Sequence, residues 1–132
     1  MNTWGDGLYF IFSGVQEADR FALDLRDLVV DTDWVALGLP VQLNIRIAVH
    51  AGPVYVNFDP VIRQLTFTGA HVSRAARIEP ITKQGQIFSS EEFAALSAAA
   101  NAAGFIPQYV GTTALAKDYG YARIYSLERT AY

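Results

Sequence analysis

An aspartate set between two glycines, Gly5-Asp6-Gly7, and an arginine closing a run of small residues, Val72-Ser-Arg-Ala-Ala-Arg77, are residue types that can do chemistry, one as a ligand for a cation and the other as a partner for an anion, although neither short run means anything alone. A carboxylate in a tight turn can ligate a divalent ion. Mg²⁺ usually takes one or two carboxylates together with substrate phosphates, so Asp6 alone makes a weak site. The plain alternative is that Asp-Gly is a hairpin turn, a common use of that pair. The guanidinium of Arg77 can span two phosphate oxygens, a contact that strengthens as charge builds up in a transition state. Its plain alternative is a solvated helix arginine paired with Glu79, and Arg74 has that alternative as its default. Ser73, one helical turn before Arg77, offers a hydroxyl that forms one short hydrogen bond, or is a small residue tolerated in a packed helix. Ser/His/Asp nucleophile sets, Walker phosphate loops and dinucleotide fingerprints are absent from the sequence.

The elements that would carry these residues follow from periodicity. Leu8 to Phe12 is an aromatic and β-branched run bounded by glycines, which predicts a buried strand. Ser13 with Gln16 forms a candidate capping box for a helix over about 15 to 30. Its apolar face holds Val15, Ala18, Phe21, Ala22, Leu25, Leu28 and Val29, while Asp19, Arg20, Asp24 and Asp27 lie away from it. Leu43 to Val49 alternates as a strand, Val54 to Phe58 continues extended, and Asp59-Pro60 turns the chain toward Leu65 to Thr68, a long hairpin. Val72 to Ile78 has helical spacing and ends before Pro80, because the residue preceding proline is biased away from the α region. Gln86 to Phe88 reads as a strand, and Ser89 with Glu92 forms a second capping box for an alanine-rich helix over about 91 to 102. Short strands near 106 to 110 and 121 to 127 close the chain.

Taken together, Thr66 to Ser90 runs through Gly69, a small-residue helix, Arg77 and the strand Gly85-Gln86-Ile87. This order resembles the catalytic domain of class III nucleotidyl cyclases, the adenylate and guanylate cyclases. Leu43-Asn-Ile-Arg-Ile-Ala-Val-His-Ala-Gly-Pro-Val54 is similar to the family strand R-x-G-x-H-x-G-x-V. Val110 to Lys117 followed by Ala122 to Leu127 is similar to its last strand pair. The resemblance implies an α+β, ferredoxin-like sheet with helices on one face, as a single domain over residues 1–132. That span corresponds to the C-terminal two-thirds of the family's domain, which begins with a strand and two helices ahead of the Thr3-Trp-Gly-Asp6 hairpin. The strand lacking here is central in the family's sheet and carries the first of two metal aspartates. A sheet without it has edges open to another chain.

The resemblance also implies roles. Asp6 matches the second metal-binding aspartate, with Mg²⁺ or Mn²⁺ as cofactor. Arg77 matches the transition-state arginine, and Ser73 stands where the family usually has an asparagine that orients the ribose. Asn2 and Thr66 match the two purine-reading positions, but both are neutral and short, so neither the adenine nor the guanine pattern is met and the base stays open. Lys117 aligns roughly with a lysine-glycine pair beside a phosphate contact, whose own position is Tyr119 here. His50 matches a strand histidine outside the family's chemistry, and His71 has no assigned role. The implied activity is cyclisation of a nucleoside triphosphate at a head-to-tail homodimer interface, in intracellular signalling. The alternative is a non-catalytic cyclase-homology module for dimerisation or regulation; a weaker one is a ferredoxin-like interaction domain unrelated to nucleotides.

Composition is consistent with this reading. The 132 residues, 52% of them hydrophobic, suffice for one core, and the net charge of -3 with ten scattered basic residues argues against a nucleic-acid polymer as partner. Without cysteine there is neither a disulfide framework nor a thiolate metal site. No signal-like start and no membrane-length apolar run occur, so the expectation is a cytoplasmic protein without a membrane partner.

Overall fold

The computed structural model describes residues 2–4, 7–53, 55–61, 63–68, 70–99, 105–115 and 120–129. Strands β1 (Asn2–Trp4) and β2 (Gly7–Tyr9) form an antiparallel pair, followed by helix α1 (Val15–Asp31). Then come β3 (Ile47–Val49), β4 (Tyr55–Asp59), β5 (Gln64–Thr68) and α2 (Ala70–Ile78), which runs into a 3₁₀ turn over Glu79–Ile81. The chain continues as β6 (Ile87–Ser90), α3 (Glu91–Ala99), β7 (Phe105–Ala114) and β8 (Tyr121–Arg129). The main sheet has the order β3-β6-β8-β7, with β3 and β6 parallel and the other neighbours antiparallel. The class is therefore α+β, as the sequence implies. Among the described residues no helix is long and apolar enough to cross a membrane.

Strand alternation places the core in two layers. Ile87 and Leu127 pack with Ala22, Leu23 and Phe93, so α1 and α3 cover one face of the sheet. Phe88, Ala122 and Ile124 pack with Ile78 and Leu115, so the end of α2 reaches the other face. Ile47 and Val49 join the first cluster and Ala48 the second, as a period of two requires.

Several local expectations change. The strand foreseen over Leu43 to Val49 shortens to Ile47–Val49 and pairs with β6; the hairpin is formed by β4 and β5 alone. Ahead of β3, the Ile45 carbonyl accepts the Gly85 amide at 2.7 Å, and Gly85 adopts φ 76°, a left-handed value that glycine takes without strain. Strands β7 and β8 are longer than foreseen, and a bulge between Tyr109 and Gly111 absorbs a register shift. The Ser13/Gln16 capping box does not form: Gly14 is the N-cap of α1, without a side-chain hydrogen bond. At α3 the cap is Ser90 instead of Ser89, its hydroxyl accepting the Phe93 amide at 3.2 Å. Ser89 is buried and donates to the Ser90 carbonyl.

The run Leu8 to Phe12, expected to be buried, lies largely open. Leu8, on the two-stranded ribbon that β1 and β2 form, is 55% exposed. Phe10 and Phe12 lean on Phe21 of α1, with ring centroids 4.8 and 5.3 Å away. Leu28, assigned to the apolar face of α1, is also exposed, whereas Asp19, assigned to the polar face, is fully buried. The Asp19 carboxylate accepts the Ser97 hydroxyl of α3 at 2.7 Å, while its Oδ1 has no hydrogen-bond partner among the described residues. Burial raises its pKa and the Ser97 hydrogen bond opposes that rise. Removing the hydroxyl would strand a buried carboxyl, so Ser97→Ala is expected to lose about 1–3 kcal/mol of stability; a urea midpoint equal to wild type would contradict this.

Candidate functional site

Helix α2 is the element on which candidate chemistry converges, and both of its ends are held. At its C-terminal end Ile78 is wholly buried against Phe88 and Ile124. Pro80 then diverts the chain into the 3₁₀ turn. The Thr82 hydroxyl donates to the Ile78 carbonyl at 2.8 Å, and the Thr82 amide to the Glu79 carbonyl at 3.0 Å. Such bonds satisfy carbonyls that a helix end leaves unpaired. Arg46, just before β3, reaches Glu79 at 3.2 Å.

At the N-terminal end, His71 faces His50, which follows β3. His50 Nε2 lies 2.8 Å from His71 Nδ1, and His50 Nδ1 lies 2.6 Å from the Ser90 hydroxyl. The His50 side chain is 1% exposed. Burial lowers its pKa from the usual 6.5 to about 4, against a Glu92 carboxylate that raises it, with His71 and Arg74 lowering it further.

Between these anchors lie Ser73 and Arg77, both half-buried and four residues apart, hence on one side of the helix. Glu79, the partner expected for Arg77, is also reached by Arg46. Arg74 has a buried Nε with no hydrogen-bond partner among the described residues. Thr66 sits in β5, which leads into α2, opposite Asn57; Asn2 sits in β1 opposite Tyr9. Asp6 and Lys117 lie outside the described residues. Ser73 and Arg77 are thus brought together on one side of α2. Sequence reasoning missed the His50–His71 contact. Alternation places His50 on the Ala48 side of β3, but nothing in the spacing names a partner 21 residues later.

An open groove of about 470 Å³ is lined by residues of α1 and α3, among them Gly14, Glu17 and Leu96. A smaller one, of about 390 Å³, lies between Tyr109, Thr112, Arg123 and Tyr125. Neither includes Ser73 or Arg77. Among the described residues there is also no cluster of three or more His, Asp or Glu able to hold a metal ion.

The overall arrangement matches solved structures. The guanylate cyclase domain of RhGC from Catenaria anguillulae, in complex with GTP, superposes with a TM-score of 0.73 at 24% identity, over 87% of this chain and 59% of that one. The chain carries the nucleotidyl cyclase fold. The adenylyl cyclase CyaB from P. aeruginosa gives a TM-score of 0.68 at 21% identity, over 89% of this chain and 62% of its own. This cyclase-like module thus spans about 60% of the solved domains' length. By sequence, the chain is 32% identical over 107 residues to a protein of Acanthamoeba polyphaga mimivirus named as a serine/threonine-protein kinase/receptor, R826. That match spans 68% of this chain but 6% of the viral protein, whose name refers to the whole. No family model matches.

The depressed pKa of His50 carries a sign. In the unfolded chain the ring gains its proton near 6.5, whereas the folded protein keeps it neutral to about 4, so the unfolded state binds more protons in between. Stability is complete above that window and falls as pH drops through it, by up to about 3 kcal/mol. The measurement is the urea midpoint at pH 7 and pH 4.5 for wild type and His50→Gln; equal slopes in the two proteins would remove His50 as the cause.

Proposed function

We propose that this cyclase-fold chain belongs to a nucleotide cyclase that converts a nucleoside triphosphate into a cyclic nucleoside monophosphate and pyrophosphate, in cytoplasmic signalling. The observation that supports the reading best is the placement of α2, which starts at the end of the β4–β5 hairpin, is held at both ends, and carries Ser73 and Arg77 on one side. In the reaction the ribose 3′ oxygen forms a bond to the α-phosphorus, the bond to the bridging oxygen breaks, and the hydroxyl proton leaves with pyrophosphate as the second product. Arg77 would donate to phosphate oxygens as their charge rises, a contact worth most in the transition state. Ser73 would hold the ribose through one hydrogen bond, shorter in reach and less directional than an amide. Asn2 and Thr66 would meet the base and Lys117 the phosphates.

A divalent ion, Mg²⁺ or Mn²⁺, would be held by Asp6. Such an ion supplies charge that clamps phosphates and activates a hydroxyl. One carboxylate fills too little of a coordination shell, so triphosphate oxygens must complete it and metal and nucleotide must bind together. The site is proposed to be completed by a second copy in a head-to-tail homodimer, as the cyclase resemblance implies. Asp6 of one subunit would then face Arg77 of the other.

Two experiments test this. Arg77→Ala is expected to lower turnover by about 10²-fold or more. Asp6→Asn should fail likewise, but mixing the two inactive variants should partly restore product, since a head-to-tail pair then contains one intact site. Absence of recovery on mixing would remove the shared site. In calorimetry, Mn²⁺ should tighten ATP, GTP, CTP or UTP by the same factor by which that nucleotide tightens Mn²⁺. Nucleotide binding that ignores both Mn²⁺ and Asp6→Asn would remove the metal assignment, and no nucleotide binding at all would favour the non-catalytic homology module.

A further inference from the structure

We propose that His50 and His71 form a two-imidazole clasp that fixes the N-terminal end of α2 on the sheet, which makes His50 a positioning residue for Ser73 and Arg77. Only the assignment of Ser73 and Arg77 to catalysis rests on the cyclase reading; the clasp itself rests on geometry. The ring centroids are 5.0 Å apart with 24° between the planes, and the facing nitrogens are 2.8 Å apart. The rings therefore meet edge to edge, as an in-line hydrogen bond requires.

The contacts form one chain in either tautomer of His50. The Ser90 hydroxyl accepts the Phe93 amide at 3.2 Å and pairs with His50 Nδ1 at 2.6 Å. In the tautomer with the His50 hydrogen on Nε2, Ser90 donates to Nδ1 and His50 donates to His71 Nδ1; in the other tautomer both directions reverse. One continuous chain of hydrogen bonds thus runs from the start of α3, through the Ser90 end of β6 and the residue after β3, to the first turn of α2. The groups facing His50 are Ser90 from β6, Glu92 from α3, whose carboxylate is 3.9 Å from Nδ1, and His71 and Arg74 from α2. A proton on both rings would set N–H against N–H across 2.8 Å, so the clasp requires at least one neutral imidazole.

Space for the clasp comes from Gly52. A Cβ placed there would overlap the His71 ring, whose Cγ and Nδ1 lie in its path. Gly52→Ala therefore displaces His71 without altering either imidazole. His71→Asn keeps a nitrogen or oxygen near the Nδ1 position, whereas His71→Ala removes it.

The test is amide exchange of residues 70–78 compared with β8 in the full chain, together with kcat and KM as a function of pH. Exchange in α2 is expected to accelerate about tenfold in His71→Ala and Gly52→Ala, with β8 unchanged and His71→Asn close to wild type. Turnover, where wild type shows it, should fall through kcat more than KM in the first two variants and recover in the third. Unchanged α2 exchange in both disrupting variants would overturn the clasp. Equal acceleration in α2 and β8 would overturn it as well, since that marks general destabilisation. Turnover bears on the cyclase reading alone, because exchange decides the clasp.

Discussion

Burial on both faces of the β6–β8 strand pair is the constraint that the rest of the structure depends on. Ile87 and Leu127 face α1 and α3, while Phe88 and Ile124 face the end of α2, so two strands supply both cores. A sheet buried on both faces cannot shift register by one residue without moving each apolar side chain to the opposite layer. The short β3 follows the same logic, with Ala48 on one side and Ile47 and Val49 on the other. Helix α2 is therefore tied to the same strands that hold α1 and α3.

That tie gives the candidate site its character. A nine-residue helix is too short to be stable through its own backbone hydrogen bonds, so its position comes from its ends. Ile78 supplies apolar burial at one end, and His71 with His50 supplies directional hydrogen bonding at the other. Ser73 and Arg77 lie between these anchors and inherit their rigidity. A guanidinium helps a reaction only when it is already placed where charge develops, because reorganisation during the reaction would cost what the contact supplies. The buried Asp19–Ser97 bond and the Arg129 contacts to Asp24 and Asp27, at 2.8 and 2.7 Å, join α1 to α3 and β8 away from this helix.

Much of this was legible in the residues. The α+β order, the boundaries of α1 within a residue or two, the turn at Asp59-Pro60 and the stop at Pro80 follow from periodicity and local backbone preference, which short windows of sequence carry in full. The ordered run from Gly69 through Arg77 to Gly85-Gln86-Ile87 was enough to suggest the cyclase fold that the solved structures share.

What the residues could not decide was which faces meet. Asp19 looks solvated by helical spacing and is buried, because α3 packs over it and brings Ser97 to its carboxylate. Leu8 looks buried by composition and is open, because the β1–β2 ribbon stands apart from the main sheet. Ser90 replaces Ser89 as the α3 cap, because its hydroxyl meets the Phe93 amide while the Ser89 hydroxyl is spent on the Ser90 carbonyl. The sequence by itself determined the order of the elements and the presence of Ser73 and Arg77 on one helix, since each depends on neighbours along the chain. Only the tertiary structure decided that His50 meets His71 and that Arg46 takes Glu79, because those contacts join residues whose separation along the chain carries no record of their distance in space.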